Sequence, residues 1–317
     1  MNTANRRTGK IILGIAGVLL TVALLFSITG CQEEAPEDRG SKGILYEVRG
    51  GDGEVYLFGS VHAGDESMYP LRTEVTEAFD TADVVGFEVD LELLEGNWMD
   101  DLLRSVRLGA TGTYTDGTVL SDHIDEELYR EVVEFFSEYG IPESAVEDYR
   151  PGVLAGMIED LSYEGPRYSA EYGVEMVLRD RVENQEVIAL ETIEEQMAIA
   201  LLLSPESEEI LLRDALDHAE DGGNEIEEII KAWKAGNREY LQERREEQIT
   251  EGMTESLVTY HKALTDDRDE RMAMRIDRLL QNREGERIFL VVGSLHLVGE
   301  NGIPNQLREL GYEVIER

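Results

Sequence analysis

The chain has 317 residues, of which 42% are hydrophobic and 31% charged, and its formal net charge is −39. That apolar content can build a core and excludes a wholly disordered chain, while 30 Gly and 7 Pro exclude a collagen-like or low-complexity one. So negative a chain is also excluded from binding nucleic acid, because phosphate contacts need a dominant Lys/Arg surface. Only five of the 29 basic residues are Lys. An acidic, Lys-poor surface suits high salt, where counterions screen self-repulsion.

Residues 1–30 read as a lipoprotein signal peptide. Arg6, Arg7 and Lys10 form a positive start, and Ile11 to Gly30 are uncharged and mostly apolar. About 20 such residues make either a membrane-spanning helix or a long signal-peptide core. Ile28-Thr29-Gly30-Cys31 is similar to a bacterial lipobox, in which an aliphatic residue and two small residues precede a lipidated Cys. Cys31 is therefore the expected lipidation site. The membrane is the expected partner through that lipid, and the rest of the chain is expected on the extracytoplasmic side. Cys31 is the single cysteine, so no intrachain disulfide can form. Residues 31–43 read as an acidic tether broken by Pro36 and Gly40.

The domain expected over 44–317 opens with two strands, Ile44 to Val48 and Val55 to Phe58. Gly50-Gly51-Asp52-Gly53 is a hairpin turn between them. A short helix over Thr73 to Thr81 and a strand over Asp83 to Val89 complete a first half, 44–91. The segment 92–285 reads as a mainly helical insertion. Apolar spacing marks helices over Asp125 to Tyr139, Tyr172 to Val182 and Thr192 to Leu203, with a short strand at Glu186 to Leu190. Helices then follow over Glu206 to Ala219, Asn224 to Ala235, Arg238 to Ile249 and Asp266 to Arg283, with Asn224 as an N-cap. A second half, 286–317, holds a buried strand at Arg287 to Val292, a helix at Pro304 to Leu310 and a strand at Tyr312 to Ile315.

The two halves echo each other. Gly59-Ser60-Val61-His62 follows the strand VYLF, and Gly293-Ser294-Leu295-His296 follows FLVV. A proline stands eight residues beyond each His, at Pro70 and Pro304, and a helix and strand come next. The expected class is α/β (α+β), with a central mixed sheet built from two related halves carrying GxxH motifs and a large helical insertion.

Four polar residues fall at the carboxyl ends of predicted strands: His62, Glu88, Glu191 and His296. Ligands of open α/β sheets bind at that edge. Two imidazoles with carboxylates suit a divalent transition metal such as Mn, Co, Zn or Fe. The glycines at 59 and 293 would let each strand end in a sharp turn. Glu88, in an apolar strand, needs a metal or an Arg as partner. Glu191 stands as a further ligand, a general base or the cap of the next helix. His123, His218 and His261 lie in loop-like or charged helical surroundings and read as structural or solvated.

These residues resemble the TraB/PrgY/GumN family, which includes the TIKI metalloproteases. The resemblance rests on Gly59-Ser60-Val61-His62, on Glu88 in Gly86-Phe87-Glu88-Val89-Asp90, and on Leu190-Glu191-Thr192-Ile193-Glu194-Glu195-Gln196. It continues in Arg268-Asp269-Glu270-Arg271-Met272, with Asp where Asn is usual. His296-Leu297-Val298-Gly299, Gly302 and the terminal Gly311-Tyr312-Glu313-Val314 close it. Gly173-Val174-Glu175 stands where the family often has Gly-aliphatic-Asp. The resemblance implies a metal-dependent hydrolase fold and, by analogy with the TIKI members, a peptidase. The metal set would be His62, Glu88 and His296. Glu191 would be a further ligand or base, and Arg268 would stabilise an oxyanion or orient a carboxylate. The rival expectation is a lipoprotein that captures a peptide, pheromone or haem-like ligand without turnover.

Overall fold

The structure, a computed structural model, describes residues 40–90, 112–162 and 167–317. The expected signal peptide, Cys31, most of the tether, residue 91 at the end of the first half, and residues 92–111 and 163–166 of the insertion lie outside the described residues.

Six strands form one mixed sheet: β1 (Ile44–Arg49), β2 (Glu54–Ser60), β3 (Val84–Phe87), β4 (Glu186–Ala189), β5 (Arg287–Gly293) and β6 (Glu313–Glu316). Their spatial order is β4-β3-β5-β2-β1-β6. β1 and β2 are the expected hairpin, in register through Val48 and Val55. β2, β5, β3 and β4 run parallel, and β1 is antiparallel to both its neighbours. β5 is central, and its run from Ile288 to Val292 is fully buried. A parallel strand covered on both faces needs such an unbroken apolar run.

The helices follow in chain order: α1 (Thr73–Asp80), α2 (Glu126–Glu138), α3 (Glu143–Val146), α4 (Pro151–Ser162), α5 (Val174–Arg179), α6 (Ile193–Met197), α7 (Pro205–Ala235), α8 (Arg238–Glu247), α9 (Glu255–Leu264), α10 (Asp266–Asn282) and α11 (Ile303–Glu309). The crossover β2-α1-β3 steps over β5 in one direction, and β5-α11-β6 steps over β2 and β1 in the other. Right-handed crossovers in opposite directions must place their helices on opposite faces. The cores agree. Ile303 and Leu307 of α11 pack with Ile276 and Leu280 of α10 on the face carrying Ile44, Leu57 and Leu290. Val75 and Phe79 of α1 pack with Trp233 of α7 on the face carrying Leu45, Phe58 and Phe289. A third, helical core joins α2, α4, α9 and the first half of α7.

Two local expectations are corrected. Asn224 caps no helix, because Pro205–Ala235 is one continuous helix. Gly222 and Gly223 weaken it by roughly 1 kcal/mol each relative to Ala. Packing at both ends outweighs that cost: Leu211, Leu212 and Ala215 are held in the helical core, and Ile226, Ile230 and Trp233 under the sheet. The helix stops instead at Gly236, in the left-handed conformation (φ 68°), whose N–H bonds back to Ala232 and Trp233. The helix expected over Thr192 to Leu203 is also shorter, with α6 passing into a 3-10 turn at Ala198–Leu202.

Candidate functional site at the carboxyl edge of the parallel strands

Register brings the four expected residues to one edge. Gly59 pairs with Val292 and Ser60 with Gly293, so the two GSxH segments leave adjacent strands side by side. Phe87 pairs with both Val291 and Ala189, which puts Glu88 beyond β3 next to β5 and Glu191 beyond β4. A backbone bond from Glu191 N–H to the Glu88 carbonyl (2.6 Å) ties those two segments together.

The GSxH glycines do not supply the expected turn. Neither has φ in the left-handed region, and Gly293 is at φ −51°, ψ 138°. Their role is close approach. A Cβ on Gly59 would stand 2.8 Å from Ser294 Oγ and 3.1 Å from Ser294 Cα. One on Gly293 would stand 3.3 Å from a Glu88 oxygen and 3.4 Å from the His296 ring. The serines have parted company. Ser294 donates to the Ser60 carbonyl (2.8 Å) and staples the two loops, whereas Ser60 donates to Glu175 (2.5 Å).

Each imidazole is anchored through Nδ1 by a carboxylate. His62 Nδ1 is 2.7 Å from Glu175 Oε1. Glu175 is delivered by the first turn of α5, which docks on the His62 loop through Val174 N–H to the Val61 carbonyl (3.1 Å). His296 Nδ1 is 2.5 Å from Asp269 Oδ1, on α10. In both rings Nε2 is the nitrogen left for chemistry, and that of His296 lies 3.6 Å from Glu88 Oε1. The environments differ. His296 is buried, whereas the His62 side chain is 73% exposed. The Glu175 carboxylate pushes the His62 imidazole up to about 10, against the opposing pull of burial. Burial raises Glu175 in turn, but the His62 charge and the bonds from His62 and Ser60 outweigh it and hold the carboxyl below its usual range.

Glu88 is the hub. Its Oε1 accepts the Gly293 N–H (2.6 Å), and its Oε2 is ion-paired with Arg268. Burial alone would raise this carboxyl; the nearby charges of Arg268, His296 and His62 together hold it far below the usual carboxylate range. Of the two GxxH imidazoles, that of His296 stands beside Glu88, with Nε2 3.6 Å from Oε1. Arg268 bridges onward, its Nε donating to Glu191 (2.8 Å). Glu191 is only 2% exposed, and Arg271 also approaches it (3.5 Å). The helix cap falls to Thr192, which forms a capping box with Glu195.

Arg245, Glu175, Asp269 and Ser60 are the site residues that motif reading left without a role. Arg245 sits in the very polar helix α8, yet its guanidinium is buried and bonds Asp269 (2.7 Å) and Asp266 (2.6 Å). No periodic signal marks a buried Arg. The remaining His are accounted for locally: His123 stacks on Tyr114 with ring centroids 4.1 Å apart, His218 bonds the Asp214 carbonyl (2.6 Å), and His261 meets the Tyr260 ring edge-on at 5.4 Å.

The chemistry of the donor set fits a cation at the imidazole pair. A metal-binding His characteristically gives its other ring nitrogen to a carboxylate, and both do so here. The carboxylates themselves are engaged by Arg268, Arg245 and Ser60. Among the described residues no group of three or more His, Cys, Asp or Glu stands in ligating arrangement.

The family model "TraB/PrgY/gumN family" matches residues 44–316, and the chain belongs to that family. It is similar to the uncharacterized protein YbaP of Escherichia coli (strain K12), with 26% identity over 260 residues, covering 81% of this chain and 89% of that one. YbaP of Shigella flexneri matches to the same extent. An uncharacterized protein of Treponema pallidum (strain Nichols) is 22% identical over 170 residues, 54% of this chain and 50% of that one. No solved structure matches.

Proposed function

We propose that the chain is a lipid-anchored, extracytoplasmic, metal-dependent hydrolase, most simply a peptidase. The observation that supports it best is the pair of imidazoles, anchored through Nδ1 by Glu175 and Asp269, on loops that leave adjacent strands at the sheet edge that carries Glu88. His62, His296 and Glu88 would hold the divalent cation, of which Mn, Co, Zn and Fe all suit such donors. When bound, the cation would polarise a scissile carbonyl and make water more acidic. Arg268 fixes Glu88 in place and brings positive charge to where an oxyanion would develop. Glu191 keeps Arg268 aimed. The lipobox-like Ile28-Thr29-Gly30-Cys31 supports the anchor and the side of the membrane. Among the described residues no helix is long and apolar enough to cross a membrane.

The test is metal analysis of the purified protein with and without His62→Ala, beside digestion of a peptide library with and without chelator. Stoichiometric metal lost in the variant, with chelator-sensitive cleavage, supports the proposal. Cleavage that survives complete metal removal supports a second reading, in which His62 with Glu175 works as a metal-free acid–base pair. The 2.7 Å contact between His62 Nδ1 and Glu175 is the observation behind that second reading. Retention of a peptide or haem-like ligand without any cleavage would point to the binding lipoprotein instead.

A further inference from the structure

We propose that Arg245 is a positioning residue that fixes both the tautomer and the location of His296. It lies outside every motif quoted above, on α8, yet its Nη1 makes two bonds to the second GxxH segment and one to Asp269, the carboxylate that holds His296. Nη1 is 2.7 Å from Asp269 Oδ2, 2.8 Å from the Leu295 carbonyl and 3.1 Å from the Val298 carbonyl. Leu295 and Val298 flank His296 in the 3-10 turn Ser294–Leu297 and its exit. The other nitrogen, Nη2, is tied to Asp266 (2.6 Å), so the fork is held at the start of α10. One planar group thus joins the loop that carries His296 to the carboxylate that orients it.

The physical need is specific. A neutral imidazole exists as two tautomers, and a carboxylate can only accept. Whenever the ring is neutral, Asp269 therefore keeps the proton on Nδ1 and leaves Nε2 as the unprotonated nitrogen, 3.6 Å from Glu88 Oε1. Asp269 is fully buried, and a carboxylate so placed without a partner would be expensive. Arg245 provides the charge. An Asn at this position could donate as well as accept, because its side chain is an amide. The choice of Asp makes the tautomer unambiguous and makes Arg245 necessary. A Lys would keep the charge but lose the second arm of the fork, the Nη2 bond to Asp266 that holds the group at the start of α10.

The inference rests on reading His296 as a functional imidazole, and its test is separable from the metal proposal. Two-bond ¹H–¹⁵N spectra of ¹⁵N-histidine-labelled full chain, in mildly alkaline buffer, report the tautomer; His296→Gln assigns the signal. Wild type should show a single Nδ1–H form. Arg245→Lys should fold, with the His296 signal split or broadened. The charge-balanced Arg245→Gln/Asp269→Asn double variant should keep its Tm yet show both tautomers. Calorimetric titration with Mn²⁺ should find binding ~10–100-fold weaker in both variants. Mixed tautomers in wild type would overturn the proposal. So would a single sharp Nδ1–H form with undiminished Mn²⁺ binding in Arg245→Lys. If the double variant does not fold, Arg245→Lys alone decides. If wild type binds no Mn²⁺, the metal proposal fails and the tautomer spectra still decide this one.

Discussion

His62 Nδ1 lies 2.7 Å from Glu175 Oε1, and the same oxygen also accepts from the Ser60 hydroxyl. In the second motif Asp269 is charge-balanced by Arg245. The ion-pair partner of Glu175 is His62 itself, which carries the balancing charge. This asymmetry between two otherwise similar motifs sets the first prediction. Glu175→Gln should return the His62 imidazole from about 10 toward its ordinary value of 6.5, as read by NMR titration of the ring protons. The sign for stability follows. His62 is raised in the folded state, so its contribution is complete below 6.5 and fades as pH climbs toward 10. With the ring 73% exposed, solvent screens the pair, so the midpoint reached should fall short of 10 and the stability gained stay near the ~1 kcal/mol of an exposed ion pair. A titration midpoint unmoved by Glu175→Gln would contradict this account.

The two glycines should respond differently to the same substitution. In Gly59→Ala the new Cβ meets Ser294 and the side chain of Ile44 (3.1 Å) at the β2–β5 seam, where both neighbours are buried. Overpacking there should cost about 1–3 kcal/mol. Gly293→Ala crowds only the Glu88 carboxylate and the His296 ring, by a few tenths of an ångström. Denaturant unfolding should show the larger loss for Gly59→Ala. Gly293→Ala should act mainly on the site, as a shift in the His296 ring signals at nearly unchanged stability. Equal losses of stability in the two variants would refute the distinction.

Much of the sheet was legible because its strands are apolar runs with turn residues between them. The two GSxH echoes placed His62 and His296, since each is a short walk from a buried strand, and strand ends sit at a predictable edge. What escaped was set by contacts remote in sequence. Arg245 looks like any other charged residue of α8, and only the tertiary structure buries it beside Asp269. Glu175 lies on a six-residue helix whose place depends on docking to the Val61 carbonyl. The Gly222-Gly223-Asn224 break failed for the same reason, because packing at both ends of α7 overrode a local signal. The glycine roles were misread because close backbone approach, unlike positive φ, leaves no mark in a single chain's sequence.

Anchoring has its own test. If Cys31 becomes the acylated N-terminus, the mature protein should partition into detergent and carry the added mass of its lipid. Cys31→Ser should yield either an unprocessed chain longer by the signal peptide or a released one. An acidic chain of net charge −39 gains nothing from an anionic membrane surface, so no electrostatic attraction should mask the loss of the lipid. Unchanged mass and unchanged partitioning in Cys31→Ser would remove the lipoprotein reading.

The chain of charges Glu88–Arg268–Glu191 yields the most demanding prediction. Arg268 is buried between two carboxylates, with Glu191 Oε1 left without a hydrogen-bond partner and only Arg271 nearby. Removing one member leaves the others desolvated and unbalanced, which for a buried pair costs about 3–5 kcal/mol. Glu191→Gln should therefore destabilise the fold strongly, since Glu191 has no route to solvent. Glu88→Gln should cost less, because the Glu88 side chain keeps some exposure at 13% and the amide still accepts from Arg268. The pH dependence separates them further. Glu88 is held far below its ordinary value of 4.5, so the stability it supplies is complete above 4.5 and is lost as pH falls toward its folded-state value. Glu88→Gln should flatten that acid limb of a Tm-against-pH curve while leaving the neutral limb parallel to wild type. If Glu88→Gln leaves the acid limb intact, the carboxylate is not paired as described. If it also leaves hydrolysis intact, Glu88 is no part of the chemistry, and the cleft must work through its two imidazoles alone.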